Sequence, residues 1–358
     1  MKAVPTLRSL ALKAGVHHTT LSRALRNDPR LPETTRQRLI ALAKTAGYQT
    51  DALRTRCMAA LQRGKAAHAP EVIGLLTGKT RFHEGEEPFK AFCRNISQRA
   101  EELGYRIEEL WADEPGMTPA RLNKVIRARG IEGIIIPPSF ESPYGKLGLD
   151  LTRVACVLHS HAVFEPRLHG VEAHNFPNML MVIEKLWQLN YRRIGLLLYL
   201  GIDKSTSHEW EGAYHYFHAK HPELGTVPVF YSDTFEDERM LGWVKSSRLE
   251  VVVGAYPYHA EFFRGRGIRV PEELGCVSMG VHPWDLPMAG LDMRAPEIDR
   301  AAVDLVVAQL NRNEKGIPRV PRDVLIEGCW HDGPTVQMRP APGQRVSTQN
   351  QSRGDSDF

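Results

Sequence analysis

The sequence is poor in cysteine and has no long apolar run. Its 358 residues include 5 cysteines, at Cys57, Cys93, Cys156, Cys276 and Cys329. An odd number without CxxC spacing favours reduced thiols over a disulfide or zinc framework. No apolar stretch approaches the roughly 18 residues typical of a membrane-spanning helix, and no signal peptide opens the chain. We therefore expect a soluble, cytoplasmic protein.

Motifs that carry enzyme chemistry are also missing. The sequence has no GxSxG, no P-loop, no GxGxxG after a strand and no HExxH, so we expect neither an enzyme nor a cofactor. Histidine, in contrast, is frequent. Two pairs, His159 with His161 and His215 with His218, lie near each other in the chain, but neither has a cysteine or carboxylate at ligand spacing. Structural or solvent-facing histidines are favoured over a metal site.

Charge is distributed unevenly along the chain. Residues 1–65 contain 13 lysines and arginines against 3 aspartates and glutamates, a balance of +10, whereas the other 293 residues carry 33 against 39, a balance of −6. A basic segment of this kind is attracted to a phosphate backbone by counterion release, and an acidic body is not. A solvated basic arm would show the same charge balance. The spacing of apolar residues within the segment is therefore needed to distinguish a DNA-binding domain from such an arm.

That pattern is a pair of short amphipathic helices in residues 6–25, TLRSLALKAGVHHTTLSRAL. Leu7, Leu10 and Ala11 fall three to four apart, as do the apolar residues of the second helix, so each helix has one apolar stripe. Gly15 between them can take a positive φ at the end of the first helix. The spacing predicts a helix-turn-helix, although two solvated helices of any α-helical domain remain the alternative.

The second helix would then offer polar side chains to a duplex. The residues at its start and on the side away from the apolar stripe are His17, His18, Thr19, Ser22, Arg23 and Arg26. Such side chains can bond a base edge or a phosphate, and an arginine fork matches guanine best.

A third amphipathic helix is predicted from Pro32 to Ala46, ended by Gly47. With its helix lengths, turn, SRAL segment and closing Gly47-Tyr48, the window from Thr6 to Tyr48 resembles the DNA-binding head of the lac repressor family. The resemblance implies that the helix from residue 17 to 26 enters the major groove and that the protein acts as a homodimer.

Residues 50–70 follow as a predicted hinge helix and linker. The resemblance implies a short helix that orders on the operator, where two copies from a dimer open the minor groove with an apolar side chain. Thr50 and Asp51 replace the family's usual proline and asparagine, and Cys57 stands at the position of the intruding leucine. Met58 is a substitute for that role, and an ordinary linker helix is the alternative.

From residue 71 the period changes to short apolar runs that alternate with amphipathic stretches. Alternating β and α units predict parallel sheets covered by helices on both faces. The predicted strands are 72–78, 106–112, 133–138, 153–159, 193–200, 227–231, 250–256 and 275–280, and the predicted helices are 88–104, 118–129, 177–190, 207–220, 236–246, 258–266 and 298–310.

This body is similar to the effector-binding domain of the same family, which shares its fold with periplasmic sugar-binding proteins. The predicted domains are therefore a helix-turn-helix head at 1–49, the hinge at 50–70, a two-lobed body at 71–339 and a disordered tail at 340–358. Lobe one would comprise about 71–165 and 295–326, and lobe two about 170–292 and 329–339. By analogy the chain crosses between lobes near 160–172, 290–295 and 325–330.

Ligands of open α/β sheets bind outside the carboxyl ends of the strands. The residues that map there are Phe82, His83, His159, His174, Glu209, Trp210, Tyr256, His282 and Trp284. The family usually has arginine, asparagine and aspartate at several of these positions, so the pattern indicates an unusual ligand or a cleft that has lost its ligand. Tryptophan can stack on a sugar and histidine can bond a hydroxyl or an anion; for any one of these residues taken singly, interior packing or a solvated loop is favoured over a ligand contact.

The sequence thus predicts a DNA-binding transcription regulator, a repressor, controlled by a small, carbohydrate-like effector. One rival is a solute-binding protein of the periplasmic type, favoured by the body but opposed by the basic head and the missing signal sequence. A second rival is an α/β enzyme fused to a DNA-binding head, for which no catalytic grouping is found.

Overall fold

The computed structural model describes residues 7–25, 28, 30–46, 71–78, 87–137, 148–159, 166–225, 227–282 and 287–340. The predicted hinge at 50–70 lies outside these residues, as does nearly all of the predicted tail.

Three short helices form the N-terminal head. They are α1 (Leu7–Ala14), α2 (His18–Leu25) and α3 (Glu33–Thr45). Their apolar stripes meet in one small core, whose buried side chains are Leu10, Ala11, Leu21, Ala24, Leu39 and Ala43. The predicted three-helix head is confirmed.

Gly15 ends α1 as its sequence position predicts. Its φ is +65°, its amide donates to the Leu12 carbonyl (3.2 Å), and the Val16 amide donates to the Ala11 carbonyl (3.0 Å). This pair of bonds is a Schellman cap, which needs a residue in the left-handed region and so favours glycine. The cap turns the chain sharply and directs α2 back across α1.

The first of two six-stranded sheets has the strand order β11-β5-β4-β3-β1-β2. Its strands are β1 (Glu71–Thr77), β2 (Tyr105–Trp111), β3 (Gly133–Ile136), β4 (Ala155–His159), β5 (His169–Ala173) and β11 (Asp323–Ile326). Strand β1 runs parallel to both β2 and β3, with Ile73 opposite Ile107 and Gly133. Helices α4 (Glu87–Glu102), α5 (Pro119–Ala128) and α11 (Ala295–Arg312) accompany these strands along the chain.

The second sheet has the order β12-β10-β9-β8-β6-β7. Its strands are β6 (Ile194–Tyr199), β7 (Phe230–Ser232), β8 (Val251–Gly254), β9 (Gly275–Ser278), β10 (Ala289–Asp292) and β12 (Cys329–His331). Helices α6 (Asn175–Gln188), α7 (Leu200–Ser205), α8 (Glu209–Lys220), α9 (Arg239–Ser246) and α10 (Tyr258–Gly265) connect them. Strands β6, β8 and β9 are buried on both faces, as expected of parallel strands between helices.

The fold class predicted from the sequence is confirmed: an all-α head followed by two mostly parallel α/β sheets. Four short strands, β5, β10, β11 and β12, were not predicted as strands, and β12 pairs antiparallel with β10. Strand β5 pairs with β11 in the first sheet, so the chain leaves that sheet after Ala173. Helix α7 is a further difference from the prediction, because it begins at Leu200, at the end of the apolar run 193–200 that predicts a single strand.

By Cα packing the chain divides into two units, one of residues 1–80, 96–157 and 302–320 and the other of 81–95, 158–301 and 321–358. The second unit contains an apolar core built on both faces of β6, β8 and β9. In the described part of the chain, no helix is long and apolar enough to cross a membrane. The lobe boundaries given above remain a prediction.

Gly290 provides a test of the second sheet. It lies opposite Ser278 in the β9–β10 pair, and a Cβ built there would overlap the Ser278 carbonyl oxygen. We expect Gly290→Ala to force the two strands apart and to lower the free energy of unfolding by roughly 3 kcal/mol, the upper end for an overpacked core. The measurement is the denaturant midpoint of the full chain, followed by tryptophan fluorescence.

The control is Gly242→Ala on the exposed side of α9, where the added Cβ meets no atom within 4 Å. It should raise stability by about 0.5–1 kcal/mol because alanine favours a helix over glycine. Equal midpoints for Gly290→Ala and the wild-type chain would contradict the strand pairing.

Candidate nucleic-acid interface and ligand-binding residues

Helix α2 turns its polar side away from the core of the head. Leu21 and Ala24 are fully buried, whereas the side chain of Arg23 is 51% exposed. The other described candidates for DNA contact are His17 and Thr19, which are exposed, and His18 and Ser22, which are half-buried. Arg26 lies outside the described residues, as do Cys57 and Met58 of the predicted hinge. One face of the helix therefore offers an arginine fork and several hydroxyl and imidazole groups.

The imidazole of His17 lies at the start of α2. Its Nδ1 is 2.8 Å from Oγ1 of Thr19, and its ring centroid is 4.1 Å from that of His18. These polar groups lie side by side at the N-terminal end of the helix. Helix-turn-helix proteins contact base edges with the N-terminal residues of this second helix.

Asp28, which the sequence pattern does not single out, fixes the loop between α2 and α3. It is only 3% exposed, and its carboxylate accepts bonds from the backbone amide, Nε and Nη2 of Arg30 at 2.8–3.0 Å. The side-chain bonds of Arg30 hold the pKa of Asp28 below its usual value. Nε of Arg23 is 3.9 Å from the same carboxylate. In the sequence, a single acidic residue among closely spaced arginines indicates an ion-pair contact of this kind.

In the body, the structure places the described candidate ligand residues in separate groups. His159 ends β4 and is buried, and its Nε2 donates to Oδ1 of Asp299 at 2.6 Å. Nδ2 of Asn95 donates to the other oxygen of Asp299 at 2.8 Å, and Phe92 meets the imidazole edge to face. Asp299 is not among the residues predicted from the sequence, although an acidic residue on the apolar stripe of α11, four residues before Val303, indicates a buried polar contact.

A second group joins the start of α6 to the start of α8. His174 is the N-cap residue of α6, and Glu209 accepts a hydrogen bond from the Phe176 amide in the first turn of that helix (3.3 Å). Trp210 is 3% exposed and donates from its indole nitrogen to Oδ1 of Asn175 (3.0 Å). Trp210 thus packs in the interior and does not present an open face for stacking, and Glu209 supports a helix end.

Tyr256 belongs to a third group, a four-ring cluster of Tyr199, Phe235, Tyr256 and Tyr258 at the carboxyl ends of β6, β7 and β8. Neighbouring ring centroids are 4.8–6.0 Å apart. Phe235, Tyr256 and Tyr258 are 45%, 36% and 50% exposed. Burial raises the pKa of Tyr199 to about 12 and also raises that of Tyr256, so both hydroxyls stay protonated at neutral pH.

Of the remaining candidates, only His282 is described; it is half-buried and follows β9. Phe82, His83 and Trp284 lie outside the described residues. The pattern at the strand ends predicts Tyr256 but not its ring partners Tyr199 and Phe235, because these two lie at the ends of other strands.

His259 holds the backbone beneath this four-ring cluster. It is 1% exposed, and its Nδ1 donates to the carbonyl oxygen of Tyr256 at 2.6 Å. Burial lowers the pKa of His259 from 6.5 to about 4, because the low-dielectric interior disfavours the charged ring. The imidazole is therefore neutral at pH 7.

Comparison with known proteins bears first on the head. Residues 6–51 match the family described as "Bacterial regulatory proteins, lacI family". The HTH-type transcriptional regulator reg1 of Streptomyces lividans is 32% identical over 130 residues, 36% of this chain and 33% of the relative. The HTH-type transcriptional repressor MelR of Bacillus subtilis (strain 168) is 36% identical over 90 residues, 25% of each. The chain thus matches a third or less of the length of these curated relatives.

Solved structures resemble most of the chain. A complex of the transcriptional regulator CelR with cellobiose has a TM-score of 0.57 at 18% identity, covering 92% of this chain and 99% of that one. The lac repressor dimer bound to operator and the anti-inducer ONPF has a TM-score of 0.57 at 16% identity, covering 93% and 99%. The regulator CcpA of Lactococcus lactis has a TM-score of 0.60 at 13% identity, covering 75% and 100%. At these identities the likeness shows the fold.

A three-helix head and a body of two mostly parallel α/β sheets thus define the fold class of the protein. The match of residues 6–51 relates the head to the lacI family of bacterial regulatory proteins, in agreement with the resemblance found in its sequence.

The shifted pKa of His259 predicts a pH dependence of stability. In the unfolded chain His259 has a pKa near 6.5, whereas in the folded chain its pKa is about 4. Between these two pH values the unfolded chain therefore binds a proton that the folded chain does not bind. The contribution of His259 to the free energy of unfolding is therefore complete above pH 6.5, and up to about 3 kcal/mol of it is lost as the pH drops to 4. Melting temperatures between pH 7.5 and 4.5 should show this loss in the wild-type chain and a smaller loss in His259→Gln.

The control is His221→Gln, which removes a half-exposed imidazole and should keep the wild-type pH profile. Parallel profiles for His259→Gln and the wild-type chain would contradict the assignment.

Proposed function

We propose that the protein is a sequence-specific DNA-binding transcription regulator, a repressor, whose operator binding is controlled by a small-molecule effector. The observation that carries the proposal is the outward polar face of α2 in a head that matches the lacI family. The protein acts in the cytoplasm and is not an enzyme. The domain boundaries predicted from the sequence are part of this proposal.

In this mechanism α2 enters the major groove. Arg23 bonds the O6 and N7 acceptors of a guanine, while His18 and Thr19 reach neighbouring base edges. His17, Ser22 and Arg26 contact the backbone or the edges of the site. One helix of 8 residues reads too few base pairs to find a site in a genome, so a homodimer binds a partly palindromic operator.

The proposed hinge, residues 50–70, links operator binding to the body. Cys57 or Met58 supplies the apolar wedge in the minor groove. An effector that binds one arrangement of the body more tightly than another shifts the population of both, and operator affinity changes with it.

The effector site is proposed at the carboxyl ends of the body's strands. The four-ring cluster around Tyr256 supports it, because exposed aromatic faces stack on the apolar faces of sugars and phenol hydroxyls donate hydrogen bonds. Solved structures of this fold include one with cellobiose and one with ONPF, so we propose a carbohydrate-like ligand. The other residues of the site are Phe82, His83, His159, His174, Glu209, His282 and Trp284, with Trp210 supporting them from the core.

A solute-binding protein of the periplasmic type is the alternative that the body alone would allow. It gives no role to the basic head or to the exposed face of α2. The enzyme alternative has no catalytic motif in the sequence to support it. The solute-binding alternative predicts that the head binds no particular DNA sequence.

Arg23→Ala tests base readout. Losing a bidentate contact to guanine costs about 1–3 kcal/mol, so we expect affinity for the operator to fall roughly 5- to 150-fold and affinity for random duplex to fall much less. The measurement is fluorescence anisotropy of the full chain with fragments upstream of its own gene and with random DNA. Affinity for both should fall steeply with added salt.

The control is Arg38→Ala, which removes the same charge from an exposed position on α3 and should weaken both complexes to a similar, small extent. An equal loss on operator and random DNA for Arg23→Ala would remove this residue from base readout.

A thermal-shift screen over sugars, sugar acids and sugar phosphates tests the effector site. A ligand at 100 times its Kd stabilises the folded chain by about 2.7 kcal/mol, so the matching compound should raise the Tm by a few degrees. Tyr256→Ala should abolish the shift, whereas Tyr216→Ala, on the exposed side of α8, should preserve it. Shifts unchanged by Tyr256→Ala would place the ligand elsewhere.

A further inference from the structure

Three potential metal ligands meet where α7 passes into α8. Asp203 lies on α7, His208 in the turn, and Glu211 in the first turn of α8. One donor atom from each lies within 4.8 Å of the others. Ser207 and His208 both have positive φ, 53° and 61°, and this tight turn brings a side chain of each helix beside the imidazole.

The carboxylate of Asp203 is the unusual member of this group. Its side chain is 9% exposed, and Oδ2 accepts a hydrogen bond from Nδ1 of His208 at 2.6 Å. Within the described residues, the buried Oδ1 has no hydrogen-bond partner. A buried carboxylate oxygen without a partner is costly unless a donor or a cation satisfies it. Being part of the same carboxylate, this oxygen borders the three-residue cluster.

Glu211 is held in place from two sides. Its Oε1 is 3.3 Å from Nε2 of His215, and the hydroxyl of Tyr231 donates a hydrogen bond to the same carboxylate. The Glu211 side chain is 25% exposed and that of His208 is 65% exposed. The cluster therefore combines one buried oxygen that could bind a metal ion with two further ligand side chains that solvent and ions can reach.

We propose that Asp203, His208 and Glu211 form a binding site for a divalent transition-metal cation of the zinc type. One imidazole with two carboxylates is a ligand set that zinc accepts, with water completing the coordination. Magnesium prefers oxygen ligands alone, so the imidazole disfavours it. The cation would satisfy the orphaned oxygen of Asp203 and tie α7 to α8. None of its three ligands belongs to the DNA-binding or effector residues proposed above, although the cluster adjoins Glu209 and Trp210 at the start of α8.

Isothermal titration with zinc chloride tests the site on the full chain, after treatment with EDTA and dialysis. We expect one zinc ion per chain at micromolar affinity or tighter, and little heat from magnesium chloride. Asp203→Asn, His208→Gln and Glu211→Gln should each weaken binding at least about tenfold. Zinc should also raise the melting temperature of the wild-type chain and not that of the variants.

The control is His221→Gln, which alters another imidazole–carboxylate contact, with Glu223 at 3.1 Å, and should bind zinc like the wild-type chain. His208 and Glu211 are accessible, so their variants remain informative if Asp203→Asn does not fold. No saturable zinc binding, or zinc binding of wild-type strength in the His208 and Glu211 variants, overturns the proposal.

Discussion

The burial of Leu21 and Ala24 against α1 and α3 is the constraint on which the proposed activity depends. A helix of 8 residues is only marginally stable alone, so the six buried side chains of the head hold it in place. Because residues three and four apart share a face, fixing Leu21 inward leaves Arg23 outward. The Schellman cap at Gly15 and the carboxylate of Asp28 fix the turns before and after this helix. Packing therefore selects which side chains can meet a duplex.

In the body, the parallel strands determine where side chains that can bind a ligand lie. Strands buried on both faces offer polar or aromatic side chains to a ligand at their ends, and the carboxyl ends of β6, β7 and β8 collect four aromatic rings. The neutral imidazole of His259 supports the backbone of Tyr256 from below. His159, by contrast, is paired with Asp299, so a ligand that uses this imidazole would compete with a short hydrogen bond. The body thus combines an open aromatic surface with polar groups already engaged in the fold.

Local patterns in the sequence were sufficient to predict the helices of the head and the long strands and helices of the body. The stripe of α2 and the glycine at its entrance lie within 20 residues, and β6 is a continuous apolar run. Strand β12 has 3 residues, too few to show a period, and its partner β10 lies almost 40 residues earlier. Asp299 is 140 residues from His159, and Asn175, which accepts the indole N–H of the buried Trp210, lies 35 residues before it. Contacts of this range depend on the fold and not on local spacing.

Methylation interference on the operator tests the central claim most directly, since guanine N7 lies in the major groove and is no part of the phosphate backbone. If α2 reads the duplex through its outward face, methylation of particular guanines should block binding of the wild-type chain at two positions about one helical turn apart. Binding that tolerates methylation at every guanine N7 would contradict the account.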